Sequence, residues 1–246
     1  MSFLLEVIAF DLASCAIAET AGAHRIELCA NPPEGGTTPS AGMMKLARQI
    51  TTLPLFPIIR PRGGDFLYSA DEFACMQEDI RMAKQVGCEG IVLGMLNSDG
   101  TIDIDRTARL VELAYPMEVT FHRAFDRTRD PLEALEAIIQ IGCTRVLTSG
   151  QHPTAFEGSE IIRQLIDAAD DQIIIMPGSG VRSSNLESLQ QQTAATEFHS
   201  SARTQVASLM QFISSSMKEQ LTSVQLDVEE VKRLASILQQ IKAKHA

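Results

Sequence analysis

Polar residues that interrupt apolar stretches are the first candidates for chemistry, because burying them is costly unless they pair or work. In this chain they are Glu6 in L-L-E-V-I-A-F, Glu27 and Cys29 in R-I-E-L-C, Arg60 after L-F-P-I-I, Thr120 and His122 in V-T-F-H, Thr148 in R-V-L-T, and Glu197 and His199 in E-F-H-S. Imidazole titrates near neutral pH, so His122 is a candidate general acid or base. Arg60 and Glu27 complete a candidate catalytic set. Arg60 and Arg62, in R-P-R-G-G-D, suit a carboxylate or phosphate, which a guanidinium holds through two parallel hydrogen bonds. Their alternative task is to neutralise Glu27 and Glu34. The stretches P-G-S-G-V and H-S-S-A-R offer Gly178, Ser179, Gly180, Ser200, Ser201 and Arg203 as donors to an anion; the alternative is that the glycines only serve a tight turn. Cys29, His122 and His199 are candidate metal ligands. A thiolate favours Cu(I) or zinc, whereas Glu27, His122 and His199 together would suit a harder or borderline ion. The other cysteines, Cys15, Cys75, Cys88 and Cys143, read as small core residues.

These residues need elements to position them, and the chain supplies a regular alternation. Short apolar runs begin near residues 4, 25, 55, 90, 117, 145, 172 and 195. Each is followed by a stretch with helical periodicity and recognisable ends. Ser69 with Glu72 reads as a capping box, Asp130-Pro131 as a helix start, and Gly22, Gly87 and Gly142 as helix stops. Eight strand–helix units in a chain of this length predict a (β/α)₈ TIM barrel of eight parallel strands, with one domain over residues 1–246. Residues 203–226 carry no clear helical stripe and read as an irregular insertion before the last helix, a lid or a dimer contact. Barrel strands present apolar side chains to the helices, so the polar set above must point inward. In this fold the sites lie at the strands' C-terminal ends, which singles out Arg60, His122 and His199.

Composition excludes some classes. With 21 Lys and Arg against 31 Asp and Glu, the formal net charge is −10, unlike a protein that grips a nucleic-acid backbone. No apolar run approaches the ~18–20 residues of a membrane helix. Five cysteines without a C-x-x-C pattern suit a reduced, cytoplasmic protein. No nucleic-acid or membrane partner is expected.

The strings R-I-E-L-C-A (25–30), E-G-G-T-T-P-S (34–40), I-I-R-P-R-G-G-D-F (58–66), T-F-H-R-A-F-D (120–126), V-L-T-S-G-Q (146–151), G-S-G-V (178–181) and E-F-H-S-S-A (197–202) resemble the CutC family of copper homeostasis proteins, collinearly from about residue 4 to residue 202. The resemblance implies a cytoplasmic (β/α)₈ barrel, a homodimer or higher homo-oligomer, and a part in copper tolerance and trafficking. It also implies Cu(I) binding through cysteines at the ends of the first two strands. The second matches Cys29; at the first, this chain has Ile8. A TIM-barrel enzyme acting at the strands' C-terminal ends on a small anionic substrate, such as a phosphorylated one, is the competing expectation. There His122 is the acid or base and the arginines and loops hold the anion.

Overall fold

The computed structural model describes residues 3–218 and 220–244, so residue 219 of the 203–226 segment and the chain ends lie outside the described residues. Strands and helices alternate: β1 (Leu4–Ala9), α1 (Leu12–Ala21), β2 (Arg25–Leu28), α2 (Ala41–Ile50), β3 (Leu55–Pro57), α3 (Ala70–Val86), β4 (Gly90–Leu93), α4 (Ile104–Ala114), β5 (Glu118–Phe121), α5 (Pro131–Ile141), β6 (Arg145–Thr148), α6 (Ser159–Ala169), β7 (Ile174–Pro177), α7 (Leu186–Thr193) and β8 (Glu197–Ser200). The strands form two parallel sheets, ordered β3-β2-β1-β8 and β4-β5-β6-β7. A parallel bridge between Ile58 and Val92, with Ile59 N–H donating to Val92 O at 2.7 Å, links the sheets at β3 and β4. Among the described residues no hydrogen-bonded ladder joins β7 to β8.

Local chemistry explains the element ends. Ser69 and Glu72 form the reciprocal capping box, Asp130 accepts from Leu132 and Glu133 N–H, and Gly22, Gly87 and Gly142 close their helices in the left-handed conformation that glycine adopts without strain. Alternation then sorts the side chains. Leu5, Val7, Ile26, Leu28, Phe121, Val146 and Phe198 join the core between strands and helices, while Ile8, Cys29, Phe56, Ile58 and Val92 form a separate inner apolar cluster.

Two expectations need correction here. Residues 203–226 are not irregular throughout: β9 (Arg203–Val206) and β10 (Ser223–Leu226) pair antiparallel, and Asp227 N–H donates to Ala202 O across the base. Beyond this stem the connection exposes Leu209, Met210, Phe212 and Ile213. The chain then closes with α8 (Val228–Lys244). On β6, Thr148 does not face the interior. It shares the side of Val146, and its hydroxyl donates to Asp126 at 2.6 Å, so Arg145 and Leu147 take the inward positions.

Candidate functional site

At the strand beginnings the interior holds an ion network that parity on β2 and β6 implies but that no apolar interruption advertises. Arg25 donates through Nε to Glu6 and through Nη2 to Glu197 at 2.7 Å; Arg145 donates through Nε to Glu197 at 2.6 Å and through Nη1 to Glu118 at 3.1 Å. Both arginines are 3% exposed and flank the Phe56 ring, their guanidinium carbons 5.1 and 5.8 Å from its centroid. Burial pushes the Glu6 carboxyl up, but the Arg25 charge and the His199 contact outweigh it and hold Glu6 at about 2. Arg25 and Arg145 are the main residues that sequence reasoning missed. Each is the first residue of its strand, where an arginine looks like loop.

Above this network lies a cavity of about 430 Å³, lined in part by Glu27, Arg60, His122, His199, Ser179, Gly180, Ser201 and Arg203. Arg60 follows β3 and ties two loops together: Nη1 donates to Glu34 O and Gly36 O at 2.6 and 2.8 Å, Nη2 to Gly64 O at 2.9 Å, and the guanidinium stacks 5.0 Å from the Phe66 centroid. Its Nε has no partner and is fully buried.

His122 ends β5 and opens a 3-10 turn at Arg123–Arg127. Its N–H donates to Leu93 O at 2.7 Å and its Nδ1 accepts the Ala124 N–H at 3.2 Å. Nε2 therefore carries the proton, and it too is buried without a partner. Burial, reinforced by the nearby Arg60 charge, depresses the ring to about 3. His122 is thus a neutral hydrogen-bond donor. The expected acid or base role is corrected, because Nδ1 is occupied and the ring stays uncharged at neutral pH. Its candidacy as a metal ligand falls because its one lone pair, on Nδ1, is turned to the Ala124 N–H. Gly94 makes room for it: a Cβ there would sit 2.5 Å from His122 Nδ1.

The rest of the F-H-R-A-F-D string fixes the neighbouring loop. Asp126 accepts from Thr148 Oγ1, Ser149 N–H, Gln151 N–H and Arg123 Nε. Strand β5 has already ended at Phe121, so Arg123 and Arg127 line the cavity, which strand parity alone would have denied them.

On the opposite wall, His199 Nδ1 meets Glu6 Oε1 at 2.8 Å, and Nε2 faces Glu27 Oε2 at 3.7 Å. Burial drives the Glu27 carboxyl up, against the pull of His199, to about 7. Burial lowers His199, but the Glu6 hydrogen bond and the two carboxylate charges outweigh it and raise the ring. Among the described residues, Glu6, Glu27 and His199 are the only group of three or more His, Cys, Asp or Glu whose ligand atoms lie within 4.8 Å of one another. The structure does not unite Cys29, His122 and His199 in this way. Cys29 is fully buried in the inner apolar cluster, its thiol raised well above the ordinary value by burial and then by Glu27 and Glu6. A soft ion would find one thiol there, beside Ile8.

The proposed anion residues divide. Ser179 and Gly180 have φ of 80° and 72°. Together with Ser201 they line the cavity, and their three backbone N–H groups carry no hydrogen bond among the described residues. Gly178 is a packing residue instead, its N–H bonded to Thr148 O and its Cα against Leu147 and His199. Ser200 points away: its hydroxyl donates to Val181 O at 2.7 Å and accepts the Ala202 N–H. Arg62 is consumed by its own loop, donating to Glu72, Asp65, Leu67 O and Gly63 O.

Parallel strands whose C-terminal ends converge on one charged cavity define a TIM-barrel-like α/β protein with a small-ligand site. Within that class the chain belongs to the CutC family, whose model matches residues 3–204. A Chromobacterium violaceum CutC family protein is 50% identical over 212 residues, covering 86% of each chain. The copper homeostasis protein cutC homolog of Mus musculus is 49% identical over 215 residues, 87% of this chain and 79% of that one. Among solved structures, the putative copper homeostasis protein CutC from Streptococcus agalactiae superposes with a TM-score of 0.78 at 32% identity, covering 81% of this chain and 98% of that one. A thiamine phosphate pyrophosphorylase from Pyrococcus furiosus, at 16% identity and TM-score 0.61, shares the fold. The five cysteines are free, and no described helix is long and apolar enough to cross a membrane.

Proposed function

We propose that this chain acts in copper homeostasis, the role for which its mouse relative is named, and that it does so by holding a small anionic ligand in the cavity at the strand ends. The observation that carries the reading is a surplus of donors. Arg60 Nε and His122 Nε2 are buried without acceptors, and the N–H groups of Ser179, Gly180 and Ser201 are unpaired. The Ser179, Gly180 and Ser201 amides, on half-buried or exposed residues, offer an oxyanion three unpaired donors, and a small shift that brought Arg60 Nε or His122 Nε2 to it would recover the roughly 1–3 kcal/mol that a buried donor without a partner costs. Arg203, Arg123 and Arg127 add charge at the rim. A phosphate or carboxylate of metabolite size fits about 430 Å³. Where the bound anion is turned over, the protein is an enzyme and His122 polarises the substrate as an uncharged donor.

The test is titration with inorganic phosphate and sulfate, followed by amide chemical shifts. Shifts centred on Ser179, Gly180 and Ser201 are expected; unmoved amides there would remove the reading.

A second reading is Cu(I) held at Cys29, favoured by that thiol's apolar, water-excluding surroundings. Cu(I) titration against a competing chelator should give stoichiometric binding that drops in Cys29→Ser, and an unchanged titration would sink it. We also read the two sheets as halves of one closed eight-stranded barrel within a single domain. The Ile58–Val92 bridge supports closure on one side and the Gly178–His199 packing on the other. Cytoplasmic location and assembly of copies through the exposed apolar residues Leu209, Met210, Phe212 and Ile213 complete the proposal.

A further inference from the structure

We propose that Glu27 and His199 hold a divalent metal ion at the floor of the cavity, with Glu6 orienting His199 and the remaining positions filled by water or by the bound ligand's oxygens. The inference does not depend on the anion reading. It begins with the hydrogen bond at 2.8 Å between His199 Nδ1 and Glu6 Oε1. Glu6 also takes Arg25 Nε on its other oxygen. A carboxylate so paired only accepts, so His199 donates from Nδ1, and in its neutral form the ring turns the lone pair of Nε2 toward Glu27. In that form, the one a metal takes, the two groups facing each other are both acceptors. Glu27 is 3% exposed and accepts no hydrogen bond among the described residues, and the nitrogen it faces, His199 Nε2, stands 3.7 Å away.

The spacing selects what belongs between them. At 3.7 Å the pair is too far apart for a hydrogen bond. Two ligands bonded to one ion at about 2.0–2.2 Å stand roughly 3.4–3.7 Å apart for angles near 110–125°. The three residues that cluster within 4.8 Å therefore have different tasks. Glu27 and His199 are the ligands, and Glu6, with both oxygens in use, is the carboxylate behind the histidine that fixes its tautomer and ring plane. The donor set is one nitrogen and one oxygen, without sulfur, which suits zinc, manganese, cobalt or copper(II) rather than copper(I). Cys29 is absent from the cluster. Two protein ligands leave an open coordination sphere on the cavity side, where Arg60 and Ser201 also stand.

The test uses the full chain without an affinity tag and Mn²⁺ or Co²⁺ alone. Free Mn²⁺, read by its room-temperature EPR signal, should disappear at about one equivalent per chain. Co²⁺ should give visible d–d bands with no thiolate-to-cobalt charge-transfer band in the near ultraviolet. Glu6→Gln should weaken the affinity by about 10–100-fold, and Glu27→Gln or His199→Gln by more than that. Cys29→Ser should change nothing. Should Glu27→Gln not fold, the Co²⁺ spectrum of the wild-type chain and the His199→Gln titration carry the test. Absence of Mn²⁺ and Co²⁺ binding at millimolar ion overturns the proposal. So does binding unaffected by the loss of Glu27 and of His199, or a thiolate band that vanishes in Cys29→Ser. Loss of phosphate binding with metal binding intact would defeat the anion reading alone.

Discussion

The two ends of the strand interior use the same residue types to opposite effect. At the strand beginnings, Glu6, Arg25, Glu197, Arg145 and Glu118 form a chain of ion pairs, and none of its fully buried polar atoms is orphaned. At the strand ends, Arg60 and His122 each keep an unpartnered nitrogen, and Glu27 accepts no hydrogen bond. Buried charge is therefore not in itself a mark of a site. What separates structure from site is whether the donors and acceptors close upon one another or are left unpaired beside a cavity.

The largest expected effect tests the closed end. Arg25→Met leaves Glu6 and Glu197 without their shared cation and should cost about 3–5 kcal/mol in urea unfolding. Glu6→Gln added to it should recover part of that loss; full additivity would mean that the ion pairs are not coupled. Next comes pH at the open end. His122 titrates at about 3 when folded against 6.5 ordinarily. Between those values the unfolded chain binds the extra proton, so stability is intact above pH 6.5 and is lost as pH falls toward 3. The loss is at most about 5 kcal/mol. His122→Asn should flatten that slope in unfolding midpoints taken at pH 4.5 and 7, and an unchanged slope would show that the ring is not held neutral. Gly180→Ala places a Cβ at φ 72°, 3.1 Å from Thr154. It should cost about 1 kcal/mol and disturb the phosphate-shifted amides. Smallest is Thr120→Val, which removes a 3.3 Å contact to Arg145. An effect near 0.5–1.5 kcal/mol by thermal unfolding with no change in phosphate binding would confirm that Thr120 belongs to the closed end.

Much of this was legible in the sequence because polar residues stand out in apolar strands. Glu6, Glu27, Arg60, His122, Glu197 and His199 follow from alternation, and the caps at Ser69 and Asp130 from local chemistry. What escaped had no local signal. Arg25 and Arg145 begin their strands, so their partners are 19 to 172 residues away. Arg62 looked available because nothing in one dimension ties it to Asp65 and Glu72 rather than to a ligand. Ser200 looked like a donor to an anion, but as the last residue of β8 it turns its hydroxyl outward to Val181 O. The stem of residues 203–226 consists of two four-residue strands far apart in sequence, too short for a periodicity to emerge.

The unladdered seam between β7 and β8 has a mechanical consequence. The unpaired amides of Ser179 and Gly180 stand on its β7 side and that of Ser201 on its β8 side. An anion accepting from both sides is a missing rung: it stitches the edge strands through its own oxygens where the backbone does not. Filling the cavity and closing the wall then become the same event. Hydrogen exchange along β7 and β8 should slow on anion binding, while β1 and β2, already laced to each other, should hardly notice.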